Sequence, residues 1–286
     1  MDGILVINKE KGYTSRDVVN IVGKELHTKK IGHTGTLDPI AEGVLVLCIG
    51  KALKLCELLT NHDKEYIASI ILGMETDTLD TEGNIISTET VDIDKNKIIQ
   101  VVNSFKGEYL QEVPKYSAVK INGKKLYEYA RNNIAVQLPK RNVNIFEIKV
   151  MDDIEYKNGF CYFKIKCHVS KGTYIRSLIR DIGEALGCSA TMKGLTRIRQ
   201  GNFNIKNSYS INDIKNNNYK IIPINEACPN IPKVKVDKKV AFKVRNGVIL
   251  DKFFENEMAF IYDDENNLLA LYKNEENKCR SYKMFI

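Results

Sequence analysis

Tryptophan is absent from this 286-residue chain, and histidine occurs only four times. No run of about 18 or more apolar residues exists, so no membrane-spanning helix is expected. The seven cysteines (Cys48, Cys56, Cys161, Cys167, Cys188, Cys228 and Cys279) are odd in number, scattered, and never spaced as C-x-x-C. That argues against a zinc site or a disulfide framework, and for reduced thiols in a cytoplasmic protein. The N-terminus sets Asp2, Lys9, Glu10 and Lys11 around one short apolar run, which does not read as a signal peptide. Both the Walker-type phosphate loop and the G-x-G-x-x-G fingerprint are missing, so a nucleotide-binding loop has no support. No Ser or Cys has an evident His–Asp set around it, which disfavours triad-type hydrolysis. No block of five or six like charges marks a basic tail.

What is present suits a globular chain. Apolar residues make up 43% of it, with 14 Tyr and 10 Phe, enough for a sizeable core. The length allows one large domain, or one of about 200 residues and a small one. Lys and Arg number 43 against 36 Asp and Glu, a net +7. A mild positive balance suits a polyanion partner without requiring one.

Ile4 to Ile7 reads as a strand. Thr14 and Asp17 then form a capping box before a helix whose Val18, Val22 and Leu26 share one face. A polar, glycine-bearing loop spans Lys30 to Glu42. Strands are expected over Val44 to Ile49 and Tyr66 to Leu72, with a helix from Lys51 to Leu59 between them. Asp92 or Asp94 caps a helix ending near Phe105. Residues 111–142 are polar, rich in Lys and Tyr, and hold Pro114 and Pro139, which suggests a mobile excursion from the core. Val143 to Val150 is a further strand. From Phe160 to Val169 apolar and polar residues alternate, the mark of a half-buried strand. The period then changes: Ile175, Leu178, Ile179, Ile182 and Leu186 sit at helical spacing, with Gly187 placed to end the helix. Residues 171–176 are therefore a strand-to-helix junction. A linker is expected near 229–232. Beyond it, short apolar runs broken by Asn246-Gly247, Asp263-Asp264 and Asn266-Asn267 suggest a small β-barrel.

The most informative segment is Gly32-His33-Thr34-Gly35-Thr36-Leu37-Asp38-Pro39-Ile40-Ala41-Glu42-Gly43. Its glycines open backbone angles closed to other residues, and Pro39 biases Asp38 towards an extended conformation. A carboxylate is thereby held on a stiff loop between a helix and a buried strand. On residue types alone the segment also reads as an ordinary Asp-Pro turn.

This segment resembles the signature loop of the TruB family of tRNA pseudouridine synthases. The resemblance extends to Lys64-Glu65-Tyr66 with Thr76-Asp77-Thr78-Leu79-Asp80-Thr81-Glu82-Gly83, then to Tyr116-Ser117-Ala118-Val119-Lys120 with residues 123–131. It continues through Ser170-Lys171-Gly172-Thr173-Tyr174-Ile175-Arg176-Ser177-Leu178 and Leu195-Thr196-Arg197. Order and spacing follow the family up to about residue 205. One departure is Val113 beside Pro114, where the family often has two prolines.

The resemblance implies an α+β catalytic domain over 1–230, built on a mixed, largely antiparallel sheet with flanking helices and a central catalytic cleft. Within it 111–142 would be an RNA-clamping insertion, and 231–286 a PUA-like, RNA-binding β-barrel. It implies isomerisation of uridine 55 in the T arm of tRNA, with base flipping, no metal and no cofactor. A monomer acting without a guide RNA or obligatory protein partner is expected. Asp38 would be the catalytic carboxylate and Arg176 its ion-pair partner, answering a charge that is expensive to bury alone. Tyr66 would stack on the flipped base, and Tyr174 would touch the base or the carboxylate. Leu195 would wall the pocket, His33 would contact substrate, and Asp80 could lie behind them. Lys9, Lys11, Lys29, Lys30, Lys64, Lys120, Lys124, Lys125 and Arg131 flank the motifs and read as phosphate contacts. Three rivals are an RNA-binding or RNA-folding protein that kept the pocket, a synthase acting on another RNA alone or with a guide, and a metal hydrolase, for which the sequence offers no ligand cluster.

Overall fold

A computed structural model describes residues 1–151 and 153–286. Its centre is a ten-stranded sheet. The main path runs Gly3–Lys9, Ala41–Ile49, Ala190–Gln200, Lys64–Leu72, Phe160–Val169, Lys140–Val150, Gly107–Glu112. Every pairing in it is antiparallel except one, where Ala190–Gln200 lies parallel to Ala41–Ile49. The sheet is thus mixed and largely antiparallel, as expected.

The alternation over Phe160–Val169 buries Cys161, Phe163, Ile165, Cys167 and Val169. They pack beneath helices Lys95–Ser104 and Ile175–Leu186, whose Ile98, Val102, Leu178, Ile179 and Ile182 are fully buried. Asp94 caps the first of these helices, and Gly187 ends the second at φ 79°, a left-handed conformation suited to glycine. The Thr14–Asp17 capping box is formed and starts helix Ser15–Glu25.

Four elements differ from expectation. Ala190–Gln200, eleven residues long, has no sequence alternation that announces it, yet it is a central strand. The stretch expected as one helix over 51–59 is a 3-10 turn, Gly50–Leu55, followed by a short α-helix, Cys56–Thr60. The 30–42 loop begins as strand Ile31–His33 and ends inside Ala41–Ile49, leaving 34–40 irregular. Strand pairing of Glu112 with Lys140 and of Gln111 with Arg141 reaches into the excursion, so its irregular part covers 113–139. That part holds the short pair Lys120–Ile121 and Lys124–Lys125 and a helix, Leu126–Arg131.

The C-terminal residues form a five-stranded sheet in the order Lys233–Lys235, Met258–Tyr262, Leu268–Glu275, Lys278–Met284, Leu250–Asp251, with helix Lys238–Arg245 against it. Asn246 and Gly247 terminate that helix rather than turn a hairpin; the hairpin turn is at 263–267. The linker expected near 229–232 is tied down: Ile231 packs on a core that joins Ile4, Val46 and Cys228 to Phe260, Leu271 and Phe285, and the Pro232 carbonyl accepts from the Phe260 N–H at 2.8 Å. Among the described residues no helix is long and apolar enough to cross a membrane, and all seven cysteines are free thiols.

Candidate active site

The irregular turn 34–40 is held from several sides. The buried hydroxyl of Ser15 accepts from the Leu37 N–H at 2.8 Å and donates to the Leu37 carbonyl at 3.1 Å. The Pro39 carbonyl accepts from the Gly12 N–H at 2.8 Å, and the Asp38 carbonyl from the Ala41 N–H at 3.0 Å. The backbone on either side of Asp38 is therefore clamped to the start of helix Ser15–Glu25.

Lys9 contributes to the same clamp. It is fully buried, and its Nζ donates to the carbonyls of Tyr13 at 2.6 Å, Glu10 at 3.1 Å and Pro39 at 3.5 Å. Burial pushes its ammonium down to about 8, although Asp38 and Glu42 pull the other way. Lys64 is likewise buried and bonded to the carbonyls of His62 and Thr60, and burial lowers it to about 8. The expected phosphate-contact role fails for Lys9: its three donor bonds go to carbonyls inside the fold. Lys64 is mostly turned inward but lines the cavity described next. Lys11, Lys29, Lys30, Lys120, Lys124 and Arg131 are exposed, and Lys125 is half-buried.

Asp38, Tyr66, Tyr174, Arg176 and Leu195 line one cavity of about 940 Å³. They come from four separate segments. Tyr66 is buried on strand Lys64–Leu72, paired in register with Arg197 and Cys167. Burial raises its phenol above the usual range, so the ring carries a protonated hydroxyl at neutral pH, and Arg197 bonds to it. Leu195 faces Ala68 on one neighbouring strand and Ala41 on the other. Tyr174 is the N-cap of helix Ile175–Leu186, which places Arg176 in its first turn.

The Arg176 guanidinium joins the segments. Its Nη2 lies 3.1 Å from Asp38 Oδ2 and 3.0 Å from the Tyr116 carbonyl; its Nη1 lies 2.9 Å from the Thr78 carbonyl and 3.7 Å from Asp80 Oδ2. Arg176 is 8% exposed and Asp38 38%. The cation is sunk beneath the carboxylate, which it compensates while leaving one side open to the cavity. Asp80 is buried and fixed by the Thr78 hydroxyl at 2.7 Å and the Glu82 N–H at 3.1 Å. The Asp38 carboxylate, unlike Asp80, lines the cavity and can act as nucleophile or base on a group that enters beside the Tyr66 ring.

His33 is not among the cavity's lining residues. Its Nδ1 accepts from the Gly35 N–H at 3.3 Å, which leaves the proton on Nε2. Burial, with Arg197 and Arg16 adding to it, lowers its pKa, so the ring is a neutral donor. Sequence reasoning missed Ser15, Gln111 and Arg197 as parts of the site. Arg197 is buried, donating to Val44 and Gly35 carbonyls at 2.7 and 3.0 Å. Arg197 lies in the Leu195-Thr196-Arg197 motif but had no role there, and nothing in the local pattern marks Ser15 or Gln111, because their partners are distant in sequence.

Residues 24–175 match the N-terminal domain of TruB family pseudouridylate synthases, and residues 176–224 match the C-terminal domain of tRNA pseudouridylate synthase B. The chain belongs to the TruB family of pseudouridylate synthases. It is similar to the tRNA pseudouridine synthase B of Halalkalibacterium halodurans, with 40% identity covering 97% of this chain and 94% of that one. The protein of the same name from Clostridium kluyveri is 40% identical over 100% of both chains. Among solved structures, an H/ACA RNP bound to a substrate RNA containing 2'-deoxyuridine has a chain 26% identical with a TM-score of 0.69. The match covers 99% of this chain and 85% of that one. A chain of a Cbf5-Nop10-Gar1 complex gives 27% and 0.70, with 99% and 85% covered. Within the TruB family frame, the cavity straddles the junction of the two matched segments, since Asp38, Tyr66 and Tyr174 fall in the first and Arg176 and Leu195 in the second.

Proposed function

We propose that the protein isomerises uridine 55 in the T arm of tRNA to pseudouridine, with Asp38 as the catalytic carboxylate. The observation that carries this reading is the Asp38–Arg176 pair at 3.1 Å in the cavity wall, with the carboxylate the more exposed partner. The names of the full-length relatives support tRNA as the substrate. In the reaction the C1′–N1 bond breaks, the base turns, and C1′ rejoins through C5; the C5 proton is lost as N1 gains one. Asp38 acts at the sugar or the base, with its charge balanced by Arg176 throughout.

The target uridine leaves its stack to reach the cavity, at a cost of a few kcal/mol. Stacking on Tyr66 offsets about 1–3 kcal/mol of it. Tyr174 meets the base or the carboxylate, Leu195 forms the apolar wall, and the His33 Nε2–H contacts the substrate outside the cavity. Lys11, Lys29, Lys30, Lys120, Lys124, Lys125 and Arg131 take phosphates, so affinity falls steeply with salt. The 113–139 segment closes over the RNA arm, and the C-terminal sheet acts as a PUA-like RNA-binding module. The enzyme works in the cytoplasm as a monomer, without guide RNA, metal or cofactor.

The test is pseudouridine formation on an unmodified tRNA transcript, mapped by position, for wild type and Asp38→Asn. Product at the T-arm uridine, lost in the variant while RNA binding persists, is expected. Product in both would remove Asp38 from the chemistry. No product from folded wild type that binds tRNA would favour an RNA-binding role.

A further inference from the structure

The amide of Gln111 is buried and fully engaged. Its Oε1 accepts from the Tyr174 N–H at 2.8 Å, and its Nε2 donates to the Tyr174 carbonyl at 3.1 Å. The other Nε2 hydrogen goes to the Tyr109 hydroxyl, which in turn donates to Asp181. Chemistry sets the direction of this chain. The Tyr174 N–H can only donate, so the oxygen end of the amide faces it. Asp181, already paired with Arg180 at 2.7 Å, takes the Tyr109 proton, so Tyr109 accepts from Gln111.

What Gln111 holds is the start of the helix that carries Arg176. Tyr174 is its N-cap and makes no side-chain capping bond of its own, leaving a helix end that frays unless its backbone is otherwise held. The next residue extends the grip: the Glu112 carbonyl accepts from Ser177 Oγ at 2.7 Å, and its carboxylate meets Arg180 at 3.2 Å. Gln111 and Glu112 end strand Gly107–Glu112, directly before the 113–139 excursion. That excursion returns to the same helix through the Tyr116 carbonyl, which accepts from Arg176.

We propose that Gln111 is a positioning residue, which sets Arg176, and through it the Asp38 carboxylate, by gripping the Tyr174 peptide from the root of the 113–139 excursion. This rests on the reading of Asp38 as the catalytic group. A displacement of about 1 Å at a reacting group can cost on the order of 100-fold in rate, so losing the grip should appear in the chemical step rather than in RNA binding.

The experiment is single-turnover pseudouridine formation at saturating unmodified tRNA, with tRNA affinity and melting temperature measured on the same samples. Gln111→Leu removes both bonds to Tyr174 at similar volume. Its rate should fall by about 10-fold or more, with affinity within about 3-fold of wild type. Gln111→Glu gives a signature that a purely structural role would not. Ionised, it sets an acceptor against the Tyr174 carbonyl; protonated, its hydroxyl donates there as the amide did. The Gln111→Glu to wild-type rate ratio should therefore rise as pH falls. An unchanged saturating rate in Gln111→Leu, or a pH-independent ratio in Gln111→Glu, overturns the proposal. Where Gln111→Leu does not fold, the pH ratio alone decides. Asp38→Asn runs alongside: full activity there would overturn the Asp38 reading separately, whatever Gln111 does.

Discussion

Ser15 holds Leu37 by both polar groups of its backbone, accepting from the N–H at 2.8 Å and donating to the carbonyl at 3.1 Å. One hydroxyl thus satisfies a buried residue whose chain neighbour is Asp38. Ser15→Ala leaves both Leu37 groups without a partner, and a buried unsatisfied group costs about 1–3 kcal/mol. The variant should lose stability in that range by urea unfolding. Its single-turnover rate should fall as well, because the backbone next to Asp38 loses an anchor.

Arg176 serves two carboxylates and two carbonyls with one planar fork. A lysine carries the charge as a point and cannot span those four acceptors. Arg176→Lys should keep the fold, and lower the rate by roughly 100-fold with little change in tRNA affinity. A lysine variant with near wild-type single-turnover rate would show that charge alone suffices.

For Lys9, activity and stability should move in opposite directions with pH. Its folded pKa, about 8, lies below the ordinary value of 10.5. Between about 8 and 10.5 the unfolded chain binds more protons than the native one, so this residue's contribution makes stability rise with pH through that window. The neutral amine, however, has two hydrogens for three carbonyls, so the clamp on Pro39 weakens and the rate should decline above about pH 8. Lys9→Met should abolish that part of the stability slope, read from unfolding curves at pH 7 to 10 and compared with wild type. Lys64 titrates in the same window, so the double comparison with Lys64→Met apportions the slope.

Gly43 sits at φ 99°, and a Cβ there would stand 2.3 Å from the Arg197 carbonyl across the only parallel pairing of the central path. Gly43→Ala should cost about 2–4 kcal/mol through strain and overpacking. It should also displace Arg197 from Gly35 and Tyr66. Thermal melting checks the first effect and single-turnover kinetics the second; a wild-type melting curve would contradict the register.

Local order was readable where a residue's role depends on its chain neighbours. The Thr14–Asp17 box, the alternation of Phe160–Val169, the helical face of Ile175–Leu186 and the stop at Gly187 all follow from periods of two or about 3.6 residues and from local capping. The motif around Asp38 announced a held carboxylate, and the TruB resemblance singled out Tyr66, Tyr174, Arg176 and Leu195. In the fold these four line one cavity with Asp38, while His33 lies off it.

Tertiary structure decided what depends on partners far along the chain. Ala190–Gln200 is a strand because it fills the gap between Ala41–Ile49 and Lys64–Leu72, where its backbone groups pair on both sides. Lys9 looked like a surface cation, yet three carbonyls from residues 10, 13 and 39 converge on it and draw it inside. Gln111 lies 63 residues from the peptide it grips. The sequence by itself determined most of the local elements, since those rest on short-range sterics and hydrogen bonding, and its family motif singled out the Asp38 carboxylate. Only the packed sheet decided which buried polar groups hold that carboxylate in place, because each is satisfied by partners that meet it only after folding.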